Sequence, residues 1–311
     1  MTLFVAKKDR LIINNSFMRN IFLTLLAFSY FNSCNILSRN KISSWQSQLA
    51  NGENIVISNK GFSEDINFPD FLKSIILSAE VKECQIRSSI VFKNCIFYSE
   101  LNAFLRNNNS TFITYFDGNI VFEKCIFKGD VNFRGSVFNR SVIFSDCLFE
   151  KLTSFESCTF RHSLNMTKNR FEGETRFQNC FFGNKANFMG TIFTGITSFQ
   201  QSLFIWDAQF SAVQFYGYAD FSLCSFSQTT LFNYCEFKDQ LIFDNCDFRS
   251  RCEFNYAIFK GASFRYCYFG QLSSFQDVKA ESEIDFSDSF FVFQSPSLGN
   301  SPKEKFRLLK H

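Results

Sequence analysis

The chain has 311 residues, a formal net charge of +3, 47 Phe, 12 Cys, 2 His and 3 Pro. The near-neutral charge argues against the strongly basic surface of a nucleic-acid binder and the strongly acidic surface of a nucleic-acid mimic. Pro69, Pro296 and Pro302 all lie outside the Phe-rich middle, which suits an unbroken backbone ladder, because proline cannot donate to one.

In chain order, residues 18–34 read MRNIFLTLLAFSYFNSC, with Arg19 ahead of an apolar run from Ile21 to Phe31 and Ser33-Cys34 behind it. The run is shorter than the about 20 residues that span a bilayer. It has the form of a secretory signal. The Ser-Cys ending resembles a bacterial lipoprotein signal, in which the cysteine becomes the lipidated first residue, so Cys34 is the expected lipidation site. A buried capping helix and an uncleaved anchor are the other readings of this segment.

Residues 35–56 are largely polar, with Trp45 and an Asn51-Gly52 turn signal. A beat of apolar residues at steps of five and six starts at Ile57, Phe62 and Phe68, stops at Pro69, and returns at Val81, Ile86, Phe92 and Phe97. Residues 98–115 interrupt it again, and Asn107-Asn108-Asn109-Ser110 reads as a protruding loop. From Phe116 the beat runs almost without error through Phe122, Phe127, Phe133, Phe138 and Phe144 to Phe291, with Met166 and Ala280 as substitutes. The step from Phe259 to Phe264 is five where six is due, so the phase slips once.

No helix explains this spacing. Steps of five and six on a cylinder of about 100° per residue smear the Phe residues round its circumference. A single long strand fails too, because odd steps alternate faces. A chain that turns a corner after each short strand brings every Phe inward. The residue two before each Phe then shares its face. Those residues are small or aliphatic, as at Cys125, Val131, Ser136 and Val142, with Asn169 as the main exception. One large and one small inward position fill a narrow tube.

This pattern resembles the pentapeptide-repeat family in its Phe-centred form with alternating steps of five and six. The resemblance is strong over residues 116–293 and weak over 57–97. It implies an all-β fold, a right-handed parallel quadrilateral β-helix (pentapeptide-repeat solenoid), with about 20–22 residues per coil. About eight coils at the ordinary inter-strand spacing would make a rod of about 40 Å. The organisation expected is a signal or anchor segment over 1–34, a lead-in with irregular first coils over 35–115, the β-helix over 116–293, and a linker with a short C-terminal helix over 294–311. In that last segment, Phe306 and Leu309 of KEKFRLLKH share a helix face.

The cysteines fall in the small inward slot, where a thiol acts as a compact buried hydrophobe. No CxxC pair exists and no histidine shares the slot, so zinc is not expected. His162 sits at an outward position with no evident nucleophile beside it. Asp244 with Asp247, and Glu281 with Glu283 and Asp285, read as solvated faces rather than acid–base pairs. We therefore expect no enzyme, no cofactor and no metal.

The outward slot just before the Phe of a five-residue step is often apolar. Ile126, Val137, Leu148, Phe181, Ile192 and Leu203 form the candidate contact stripe, although β-branched residues on an outer strand face need no function. The expected role is a solenoid scaffold or protein-binding module, a membrane-anchored lipoprotein of the cell envelope, with a protein partner or a second copy on its surface and no nucleic acid. The alternative, which the family resemblance suggests, is a cytoplasmic DNA-mimic inhibitor or protector of a topoisomerase. The near-neutral charge weighs against it.

Overall fold

The computed structural model describes residues 43–78, 80–293 and 296–308. Cys34 and Leu309 lie outside the described residues. From Ile55 onward the chain is a parallel β-solenoid with four short faces per coil. In one coil they are Ile120–Glu123, Ile126–Phe127, Val131–Asn132 and Val137–Phe138. We call these the first to fourth faces. Among the described residues, first-face strands form a 10-stranded sheet, fourth-face strands belong to a 12-stranded sheet, and the second and third faces share a 19-stranded one.

Coil length shows in the register. Phe122 pairs with Phe144 and Val137 with Thr159. The phase slip is absorbed at one corner. Glu236 pairs with Ile258, but Leu241 pairs with Ala262, with the register shift between Phe237 and Gln240.

Every repeat Phe points into the tube, as the two-residue companion rule requires. Along each face the rings stack, for example Phe127 on Phe149 at 4.6 Å and 7°. Across the tube, first-face and third-face rings meet edge-on, as Phe188 does Phe199 at 5.3 Å and 88°. Both are favoured aromatic geometries. Together they fill the interior, and side chains such as Phe144, Phe199 and Phe232 are fully buried.

Helix Ser44–Ala50 caps the first coil. Trp45 packs edge-on against Phe62, Phe71 and Phe92 at 5.9, 5.8 and 5.9 Å. At the other end a short helix was expected over KEKFRLLKH. Instead Lys303–Lys305 make one 3₁₀ turn, and Phe306–Arg307 pair with Ile284–Asp285 on the third face. The physical reason is that Phe306 completes a ring column, stacking on Phe286 at 6.2 Å.

The first two coils are longer than the rest. Ile55 pairs with Ile90 and Ile90 with Ile120, and Ile66 pairs with Leu101 and Leu101 with Val131. Both extra lengths leave the tube at the third-to-fourth corner. The first holds helix Phe68–Phe71 and strand Ser74–Ile76, and the second holds strand Leu105–Arg106. The Asn107–Ser110 loop is the turn after that strand, closed by the Asn107 amide on the Ser110 carbonyl at 2.9 Å. These strands pair antiparallel with the long strands Val81–Ile86 and Thr111–Phe116 and make a four-stranded wing beside the tube. Val81 therefore starts a wing strand and is half-buried, whereas Cys84 and Ile86 enter the core.

Candidate interaction faces

In the coils after the first two, two diagonal corners are tight turns. The Ser136 amide donates to the Phe133 carbonyl at 2.9 Å, and Gly135 between them has φ +67°, the form of a type II turn. The same left-handed position is held by Ser157, Asn179, Gln201, Leu223, Asn245 and Tyr266 up one corner. At the diagonal corner it is held by Lys124, Asp146, Lys168, Ala212, Tyr234 and Tyr256. The two Tyr rings there stack at 4.9 Å and are exposed.

The small inward slot at these turns does more than fill space. Its side chain donates to the turn carbonyl of the preceding coil. The Cys158 thiol reaches the Phe133 carbonyl at 2.9 Å, Cys180 reaches Phe155 at 3.0 Å, and Cys224 reaches Phe199 at 3.0 Å. The Ser202 hydroxyl makes the same bond to Phe177 at 2.7 Å. Asn169, the exception in the sequence pattern, does so with its amide to Phe144 at 2.8 Å. A buried carbonyl with a free lone pair explains a column of donors where packing alone would accept any small residue. All described cysteines are buried and free, and Cys252 is the one outside the two turn columns. Burial pushes the Cys84 thiol up to about 11 and raises Cys180, Cys224 and Cys235 further. These thiols stay protonated and are poor nucleophiles.

Function therefore has only the outside to use. The six stripe residues do not share one face. Ile126, Leu148 and Ile192 lie on the second face, and Val137, Phe181 and Leu203 lie on the fourth, opposite it. Each coil has two five-residue steps, so the slot before the Phe alternates between the two faces. On the second face Ile96, Ile126 and Leu148 stack in register before Arg170 interrupts. On the fourth, Tyr115 pairs with Val137, Val137 with Thr159, Thr159 with Phe181, and Phe181 with Leu203. The Phe181 ring lies along its strand over Gly183, where an added Cβ would come within 2.7 Å of it. That closeness explains why the ring stays partly covered without a partner.

Some of the outward charges are matched between or within coils. Lys93 pairs with Glu123 at 2.9 Å, Arg134 with Glu156 at 3.0 Å, and Lys260 with Asp239 at 3.0 Å. Three of the five acids flagged in the sequence are drawn into such pairs. Asp244 takes Arg265 at 2.5 Å, Asp247 takes Arg249 at 2.7 Å, and Glu283 takes Arg307 at 3.8 Å. Their guanidiniums hold pKa values above the ordinary range where the carboxylate is close, as at Arg265 and Arg249. His162 is exposed at a fourth-to-first corner. Among the described residues no group of three or more His, Cys, Asp or Glu is arranged to hold a metal.

Residues 114–159, 155–203 and 210–258 match the family model of pentapeptide repeats, with 9 copies. No curated protein and no solved structure matches the chain.

Proposed function

We propose that this chain, a member of the pentapeptide-repeat family, is a non-catalytic solenoid scaffold whose outer faces bind a protein partner or a second copy. We further propose that it is held at the cell envelope through lipidated Cys34. The observation that carries the binding role is the pair of in-register, mainly apolar ladders, Ile96–Ile126–Leu148 on the second face and Tyr115–Val137–Thr159–Phe181–Leu203 on the fourth, where Thr159 is the polar rung. The packed interior supports it by leaving the outer slots as the variable part of the repeat.

The two faces are tested separately. Ile126→Glu with Leu148→Glu and Ile192→Glu loads one face, and Val137→Glu with Phe181→Glu and Leu203→Glu loads the other. One set is expected to lower the light-scattering mass or abolish a partner complex while the other does not. Unchanged mass and binding in both sets would sink the proposal. The anchor is tested by labelled fatty acid on Cys34 and by membrane fractionation, and a soluble, unlabelled protein overturns it.

The topoisomerase-inhibitor reading has less support. A duplex mimic needs a continuous ladder of unneutralised acids, whereas here Glu123, Glu156 and Asp244 each face a cation. A gyrase-protection assay decides between the two.

A further inference from the structure

The wing reverses the pattern of the rest of the molecule. Strand Ser74–Ile76 is exposed at all three positions. Ile75, Ile76 and Leu77 show 55%, 73% and 51% of their surface. The strand ends its sheet, with Val81–Ile86 on one side and nothing described on the other. Neighbours along a strand point to opposite faces, so Ile75 and Ile76 expose apolar surface on both sides of the wing. On the Ile76 side the row continues through Lys82, Phe112 and Leu105. Lys82 sits 5.1 Å from the Phe112 ring centroid.

The wing carries Lys73, Lys82, Arg87 and Arg106 beside the acids Asp70, Glu80 and Glu83, and Ile75 pairs with Glu83. Among the described residues, none of the 11 ion pairs includes Lys73, Lys82, Arg87 or Arg106. A groove of 360 Å³ opens at the root of the wing, with Leu49, Leu72 and Ile75 as apolar lining and Lys73 and Arg87 as its cations.

We infer that the wing docks on an anionic lipid surface, with Ile75, Ile76 and Leu77 at the boundary between headgroups and acyl chains and Lys73, Lys82 and Arg87 on lipid phosphates. A protein partner covers one side of an edge strand. A strand apolar on both sides suits a medium that surrounds it. Apolar insertion with flanking cations is the physics of interfacial binding. The free backbone edge limits the depth, because hydrocarbon cannot satisfy its donors and acceptors, while headgroups and water can. The capping helix, which begins at Ser44, lies at the same end of the solenoid, so this end would face the membrane and the coils would project from it. The inference rests on the membrane-bound reading for its setting and not on the lipid at Cys34.

The test uses the full chain with Cys34→Ser, which removes the lipidation site. Since the described cysteines are buried, Ile76→Cys accepts an environment-sensitive fluorophore selectively, and Gln228→Cys at an exposed distal corner is the control. With vesicles of phosphatidylglycerol and phosphatidylcholine, the probe at 76 is expected to brighten and shift to the blue, and the probe at 228 to stay unchanged. Ile75→Glu with Ile76→Glu and Leu77→Glu, checked for folding by circular dichroism, is expected to weaken vesicle binding of the unlabelled protein about tenfold or more. An unresponsive probe at 76, equal responses at both positions, or undiminished binding of the glutamate variant overturns the inference. So does a lipid-independent dimer that the same substitutions dissociate, with no vesicle effect. Failure of Cys34 to take up fatty acid leaves this result untouched and removes only the anchor.

Discussion

The coiled body and the wing are made from the same apolar residue types and use them in opposite ways. In the body, Phe144, Phe199 and Phe232 are sealed inside the tube. In the wing, Ile75, Ile76 and Leu77 face outward. The difference follows from stacking. A residue inside a coil has a neighbour above and below, so its apolar face is covered by its own repeat. An insertion leaves that lattice and has to be covered by something else. In the body apolar residues build the rod, and in the wing they are available to bind.

The largest expected effect is alkaline and belongs to the body. Burial lifts the folded pKa of most of the sealed thiols above the ordinary 9.0, to about 11 at Cys84 and further at Cys180, Cys224 and Cys235. Above that ordinary value the unfolded chain releases protons that the folded chain keeps. The unfolded state then binds fewer protons, and stability falls as pH rises, by about 1.4 kcal/mol per pH unit for each thiol still protonated. Under reducing conditions the urea midpoint is expected to hold near neutrality and drop steeply above about pH 9. A flat profile through that range would mean that the thiols are not sealed.

Next comes a matched truncation. Phe199→Ala opens a cavity between stacked rings and is expected to destabilise by about 3–5 kcal/mol, read from urea unfolding. Ile76→Ala removes a larger exposed fraction of its own surface and is expected to change stability by less than about 0.5 kcal/mol. Comparable losses at the two positions would erase the contrast between body and wing.

The smallest of the three concerns what the turn columns require. Cys224→Ser keeps a donor for the Phe199 carbonyl, and Cys224→Val keeps an apolar filler and removes the donor. The serine variant is expected to be the more stable by about 1 kcal/mol. If valine is equal or better, the column is selected by packing alone. Val213 and Ala257, which occupy the equivalent slot at the diagonal corner, show that the donor is not needed in every coil.

Much of the body was legible in the chain. Phe spacing is a local property, and a corner after each strand is the one simple path that turns all those residues inward. The interruption around Asn107–Ser110 and the slip after Phe259 were visible for the same reason. The division of Ile126, Leu148 and Ile192 from Val137, Phe181 and Leu203 was also within reach, because a coil with two five-residue steps must have two such faces. The sequence carried a further signal that the packing reading passed over. Cys125, Cys147, Cys158, Cys180, Cys224, Cys235 and Cys246 all stand two before the Phe of a five-residue step, the step that crosses a tight turn.

By itself, then, the sequence determined the inside of this protein, because the repeat makes each coil's environment a copy of the next. Tertiary structure alone decided the rest. The donor at Cys158 finds its carbonyl at Phe133, 25 residues back, a distance no local pattern spans. Phe306 was drawn from a helical pattern into a strand by a ring column already built below it. The segments after Pro69 and Phe97 read as breaks in a beat. They become one wing only when successive coils stack and their insertions leave by the same corner.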